Sequence, residues 1–211
     1  MKKSIVYLAA ALSLLALVNR PIAAGVNIDL GIKGGWSLTN IKLSSDAWAH
    51  EGLNEPIVGA FLAFNLSKSF AIQPEVLYLS VGAFQEAEVE GDLLRLAFSY
   101  YYIHVPVLAK LHLVNSGKIR PVIFAGPAVG FLTAAKVRAY VNGDLSMEDD
   151  ISELIKSTNF SVVFGGGMEF RLAKLLLLLD VRYDLGLSDV NKSGDGFTKT
   201  RALIFMAGLG F

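Results

Sequence analysis

From Leu175 to Leu187 the chain places every charge on one side of an alternating pattern. One set of positions reads Leu175, Leu177, Leu179, Val181, Tyr183, Leu185 and Leu187; the set between reads Leu176, Leu178, Asp180, Arg182, Asp184 and Gly186. Successive strand side chains point to opposite faces, so this segment is a β-strand with one wholly apolar face. The same division returns elsewhere. Ile28, Leu30, Ile32, Trp36 and Leu38 oppose Asp29, Gly31, Lys33, Gly35 and Ser37. Phe160, Val162, Phe164, Met168 and Phe170 oppose Ser161, Gly165, Gly167, Glu169 and Arg171, and Leu203, Phe205, Ala207, Leu209 and Phe211 oppose Ile204, Met206, Gly208 and Gly210. A soluble sandwich alternates too, but it solvates its polar faces. Here glycines sit between a few long charged side chains, which suits the narrow interior of an eight-stranded barrel and turns the apolar faces to lipid. Trp36, Tyr78, Tyr101, Phe131, Tyr183 and Phe211 fall near segment ends, where the aromatic girdles of a membrane barrel lie.

The connections alternate as well. Ser67-Lys68-Ser69, Val114-Asn115-Ser116-Gly117-Lys118 and Leu172-Ala173-Lys174 are tight, whereas residues 39–56, 85–96, 141–158 and 188–199 are long. Each long segment is more than twice an ordinary hairpin loop. The pattern predicts an all-β, eight-stranded antiparallel up-and-down transmembrane barrel. Its short turns face the periplasm, together with both chain ends, and its long loops face outward.

The first residues supply an address. Met1-Lys2-Lys3 leads into an apolar run from Ile5 to Val18, followed by Ala23, Ala24 and Gly25. That run is shorter than the roughly 20 residues a membrane-spanning helix takes, and the whole resembles a secretory signal. A short buried N-terminal helix is the alternative reading. The expected organisation is a cleaved signal over residues 1–24 and one barrel domain over residues 25–211, in the outer membrane. No later segment holds 18 uninterrupted apolar residues, so no membrane helix is expected. Lysines plus arginines equal aspartates plus glutamates at 19 each, so no global field points to nucleic acid. The absence of cysteine excludes disulfides and thiolate metal sites, and no metal or cofactor is expected. Pro74, Pro106, Pro121 and Pro127 lie inside strand segments, where a missing N–H predicts adjacent β-bulges.

Collecting the interior ionisable groups gives Asp29, Glu75, Glu169, Asp180 and Asp184 against Lys33, Lys110, Arg171 and Arg182, with His104. Charges in a low-dielectric interior must be paired or neutralised. A salt-bridged plug follows, with Arg182 held between carboxylates such as Asp180 and Glu75; a proton path, an ion path or a partner-swapping gate is the alternative. An enzyme would need a nucleophile, a base and an orienting acid together. His50 (beside Asp46 and Glu51), His104 and His112 have no serine elbow or second ligating histidine near them in sequence. In the third long segment Ser146, followed by Glu148, Asp149 and Asp150, has the logic of a helix start. It would carry a stripe of Ile151, Leu154 and Ile155 that either packs on the barrel rim or docks a partner. The acidic run Glu86, Glu88, Glu90 and Asp92 suits a solvated hairpin arm, or a site for cations that bridge lipopolysaccharide. Phe205, Leu209 and Phe211 resemble the C-terminal signal that barrel-assembly machinery reads by β-augmentation.

Several stretches in order resemble the PorT-like outer-membrane β-barrel family. They are Gly59-Ala-Phe-Leu-Ala-Phe-Asn-Leu66 through Ser67-Lys-Ser-Phe70 to Gln73-Pro74-Glu75-Val76-Leu77-Tyr78, then Tyr102-Ile103-His104-Val105-Pro106, then Arg120-Pro121 with Ala125-Gly126-Pro127. Gly165-Gly166-Gly167-Met168-Glu169-Phe170 and Arg182-Tyr183-Asp184-Leu185-Gly186-Leu187 complete the series. One departure is His104, where the family carries a glutamate. The resemblance implies an eight-stranded barrel of a Gram-negative outer membrane, with secretion-apparatus proteins as partners of its named member. The reading is a non-enzymatic integral barrel serving envelope structure, surface recognition or protein secretion. Its expected partners are outer-membrane lipid, lipopolysaccharide, the assembly machinery and secretion proteins. A soluble periplasmic ligand-binding barrel and a lipid-modifying outer-membrane enzyme are the rival readings.

Overall fold

The computed structural model describes residues 27–42, 51–52, 54–89, 91–114, 116–173, 175–189 and 199–211; the expected leader, and His50 with Asp46, lie outside them. Ten strands run in order: β1 (Asn27–Lys42), β2 (Glu51–Gly52), β3 (Asn54–Asn65), β4 (Phe70–Val89), β5 (Asp92–His112), β6 (Ile119–Val141), β7 (Asp144–Asp150), β8 (Thr158–Leu172), β9 (Leu175–Gly186) and β10 (Lys199–Gly210). Eight of them close a ring in which every neighbour is antiparallel, in the order β1, β3, β4, β5, β6, β8, β9, β10. The closing seam pairs β1 with β10 from Gly31–Gly210 to Lys42–Lys199, and Leu30 and Phe211 exchange backbone hydrogen bonds of 3.1 and 3.0 Å beyond it. β2 and β7 stand outside the ring, on β4 and β6.

The two faces are inverted relative to a soluble protein. Ile32 is 65% exposed while Lys33 beside it is 3% exposed, and Leu179 is 45% exposed beside Asp180 at 7%. Only a hydrocarbon surrounding makes that favourable: apolar side chains stay outside, and the backbone is satisfied by ring closure. Trp36, Tyr78 and Phe211 are among the outward aromatics; Tyr78 stacks on Tyr101 at 6.3 Å, and Phe164 lies 5.6 Å from Tyr183.

Of the expectations about the long segments, one is borne out and one is corrected. Residues 85–96, whose acidic run suits a hairpin arm, form strand almost throughout, with β4 and β5 paired up to Val89 and Asp92. Residues 144–150 are the strand β7, not a helix, and among the described residues helical structure is limited to a 3-10 turn at Ser152–Leu154. Asn142 and Gly143 take positive φ of 52° and 92°, the left-handed pair of a tight hairpin that β-branched residues avoid. This turn folds residues 144–150 back onto β6, and cross-strand pairing overrides the local helix-start signal. The apolar stripe divides: Ile155 is buried and Ile151 packs against the barrel core, but Leu154 points outward.

The expected bulges beside the prolines do not form. Pro106 pairs with Ala128 and Ala109 with Ala125 on one unbroken register, with the ladder open only between them. A proline without an N–H omits a bond there and no residue is added. Gly126 sits at this opening, where a Cβ would lie 1.9 Å from the Val107 carbonyl oxygen. The register shifts instead at Tyr101/Tyr102, where the Thr133 hydroxyl donates to the Tyr101 carbonyl at 3.0 Å, and at Ala139/Tyr140.

β4, β5 and β6 are 20, 21 and 23 residues long. A crossing takes about 9–11. Their outer halves, with β7, therefore stand above the membrane as a four-stranded wall.

Candidate functional site

Alternation places the charged positions of six strands in one lumen, in three layers. Nearest the tight turns, Arg171 grips Asp29 with two nitrogens at 3.2 and 2.9 Å, and the Asn65 amide donates to the same carboxylate at 2.9 Å.

The middle layer is a connected ionic network. Arg182 donates through Nε and Nη2 to Asp180 at 2.9 and 3.0 Å, and through Nη1 to Glu75 at 2.7 Å. Lys33 Nζ bridges the same two carboxylates at 3.0 and 2.8 Å. Two cations thus face two anions, all fully or almost fully buried. The rigid guanidinium fork is what lets one side chain hold two carboxylates at once. Phe61 and Phe124 lie beside the cations, 5.4 Å from Lys33 and 5.2 Å from Arg182. Gln73 links this cluster to a second one: its amide donates to Glu75 at 2.6 Å and its oxygen accepts from Lys110 at 2.9 Å. Glu169 then accepts from Lys110 at 2.5 Å, His112 at 3.0 Å and Arg120 at 2.7 Å. Of the residues anticipated from sequence, Lys33, Glu75, Asp180 and Arg182 meet directly, and Lys110 meets Glu169. Gln73, His112 and Arg120 were missed. Gln73 and His112 fall on the inward positions of their strands, so parity was the available signal.

His104 stands apart, above Arg182. Its Nε2 lies 3.1 Å from the Asp184 carboxylate and 3.3 Å from the Ser161 hydroxyl, while Nδ1 has no partner. A hydrolytic triad needs the acid on one ring nitrogen and the hydroxyl on the other. Here both compete for the same nitrogen, so the trio is a tether and not a charge-transfer chain.

The outer layer is apolar. Ile57, Leu77, Leu79, Val81, Tyr100, Tyr102, Ile204 and Met206 fill the lumen toward the extracellular end, and Ile155 closes over them. The segment bearing Ile155 is clamped: the Ala135 N–H donates to the Ser152 hydroxyl at 2.9 Å, and the Ile151 N–H to the Ala135 carbonyl at 2.9 Å. Between the ionic and apolar layers lies a cavity of about 20 Å³ lined by Ser37, Ser80, Tyr102 and His104 among others. That is room for about one water molecule. Among the described residues no group of three or more His, Cys, Asp or Glu is placed to hold a metal ion. Phe205, Leu209 and Phe211, expected from sequence as an assembly signal, all point outward, away from the lumen.

Residues 19–192 match the model of a family described as outer membrane protein beta-barrel domain. The chain belongs to that family. Among solved structures, this barrel is similar to neisserial surface protein A of Neisseria, at 11% identity over 89% of this chain and 99% of that one, with a TM-score of 0.50. It is also similar to Ail, the attachment invasion locus protein of Yersinia pestis, at 15% identity over 87% and 98% of the chains and a TM-score of 0.47. The outer membrane protein OprG from Pseudomonas aeruginosa follows at 13% identity over 86% and 94%, with a TM-score of 0.46. Comparison with curated proteins finds no match. Family membership places the barrel in the outer membrane, with its tight turns periplasmic and its strand wall outside the cell.

Proposed function

We propose that this outer membrane barrel is a non-enzymatic, non-conducting scaffold whose working part is the wall formed by the outer halves of β4, β5 and β6 together with β7. One observation carries the reading: the lumen is filled in successive layers, ionic then apolar, and the loop residue Ile155 seals the second. An interior occupied by its own paired charges offers no path to a solute and no open position to a substrate. What remains available is the surface that the long strands lift beyond the lipid. Surface recognition follows, with lipopolysaccharide and outer-membrane lipid as the immediate surroundings. The ordered motifs shared with PorT-like barrels support membership of that narrower group, and with it an accessory role in protein secretion. Delivery would proceed by a cleaved signal over residues 1–24 and by barrel-assembly machinery reading Phe205, Leu209 and Phe211.

Trimming tests the proposal. Replacing residues 86–95 by Asn-Gly and residues 139–149 by Gly-Ser-Gly shortens the wall and spares the ring. The trimmed protein should still reach the outer membrane and still change gel mobility on boiling, yet behave as a full deletion in a complementation assay of envelope integrity and secretion. A trimmed protein that complements fully would move the function into the barrel and overturn the proposal.

A further inference from the structure

The wall above the membrane has two unlike faces and, at β7, an open edge. Paired positions share a face, so the row Gln85, Leu96, Ala139 and Met147 runs across β4, β5, β6 and β7 on one side. The next row along the strands, Ala83, Phe98, Val137 and Asp149, lies on that same side. Phe98 packs into the lumen's apolar cluster, so this is the axial face, and it is largely apolar. The opposite face is ionic. Arg95 lies 3.5 Å from Glu86 and 3.7 Å from the Phe84 ring, while Lys136 and Arg138 both hold Glu148, at 2.6 and 2.7 Å. Those two cations keep the Glu148 carboxyl below its ordinary range.

β7 ends this wall. It pairs with β6 alone, and among the described residues nothing takes its other edge. All seven of its residues are exposed, including Leu145 at 55% and Met147 at 54%. An edge of this kind presents a row of backbone donors and acceptors with the geometry of a ladder and no partner. Natural edges are blunted by charged side chains, above all lysine, by proline, by bulges or by shortness. β7 has no lysine or proline and one register shift against β6, at Ala139/Tyr140. Its charges are Asp144, Glu148, Asp149 and Asp150, with no cation among them, so the edge repels an acidic strand and is open to a basic one. The neighbouring Lys136 and Arg138 are both committed to Glu148, so among the described residues no salt bridge reaches Asp144 or Asp149.

We infer that β7 is a docking edge for an extended, lysine- or arginine-rich segment of another protein, which adds to the wall as its fifth strand. Strand addition supplies the main-chain hydrogen bonds, and the alternate side chains supply the selectivity. Its basic residues lie on the axial face against Asp144 and Asp149, their stems along Met147 between them, and its apolar residues lie on the opposite face beside Leu145. A second copy of this chain is a poor occupant, because the same four acids would then face each other across the new ladder. The inference rests on the wall being the working surface, and names what that surface takes.

The test uses the full barrel in phosphatidylcholine nanodiscs and a labelled ten-residue peptide that repeats Lys-Val. Anisotropy should show binding, and amide exchange should slow over residues 144–150. D144N/D149N should weaken binding by roughly two- to thirtyfold, the product of two exposed charge contacts. The same peptide with every backbone amide N-methylated keeps its charge but has no N–H to give the ladder, and should not bind. Equal binding of the N-methylated peptide, protection elsewhere than β7, or no binding would each overturn the inference. A failed complementation by the trimmed chain beside an inert peptide would reject the basic strand and leave the wall's role standing.

Discussion

Arg182→Met lowers the stability of the barrel by about 3–5 kcal/mol, the scale of breaking a buried ion pair from one side. The guanidinium is the centre of the middle layer. Without it Glu75 and Asp180 share one cation, Lys33, and one buried negative charge is left over. Methionine fills the volume, so the loss is electrostatic and not a cavity. For a domain of this size the melting midpoint should fall on the order of 10 °C, read as the temperature at which the compact gel form converts on heating. The second substitution Glu75→Gln restores balance, since Lys33 and Asp180 then pair one to one. R182M/E75Q should recover more than half of the loss. A single variant that melts with the wild type would show that the network contributes no stability.

Glu169→Leu has a comparable effect for the opposite reason. Glu169 accepts from Lys110, His112 and Arg120, three donors converging on one carboxylate. Removing it leaves a lysine, an arginine and an imidazole facing each other, with only Gln73 still accepting from Lys110. The expected cost is again about 3–5 kcal/mol. Glu169→Gln keeps an acceptor for one of the three donors but presents its own N–H to the rest. It should fall between leucine and wild type, and denaturant unfolding from lipid vesicles would rank the three.

The lower lumen was legible in the sequence because its strands alternate cleanly. β9 puts Asp180, Arg182 and Asp184 on one parity and leucines on the other, so face, neighbours and the grip on Arg182 all follow from a period of two. The upper lumen was not legible. From Val76 to Phe84 β4 is almost uninterrupted apolar sequence, and inward Leu77, Leu79 and Val81 look no different from outward Val76 and Tyr78. Alternation carries no information where both faces are greasy, so the apolar seal was missed. The strand wall was missed differently. Asn142-Gly143 is a strong hairpin signal, but the acids after Ser146 spoke for a helix, and only pairing with β6 decides between them. His112 was weighed only as a catalytic candidate; its inward parity, shared with Lys110, was the unused sign.

Conductance of the purified wild-type barrel in planar lipid bilayers tests the sealed lumen most directly. With the ionic network and the apolar seal both in place, the traces should stay at the baseline of bare lipid at both polarities. Stable, uniform current steps from folded protein would mean an open aqueous path, and would contradict the sealed scaffold on which this account rests.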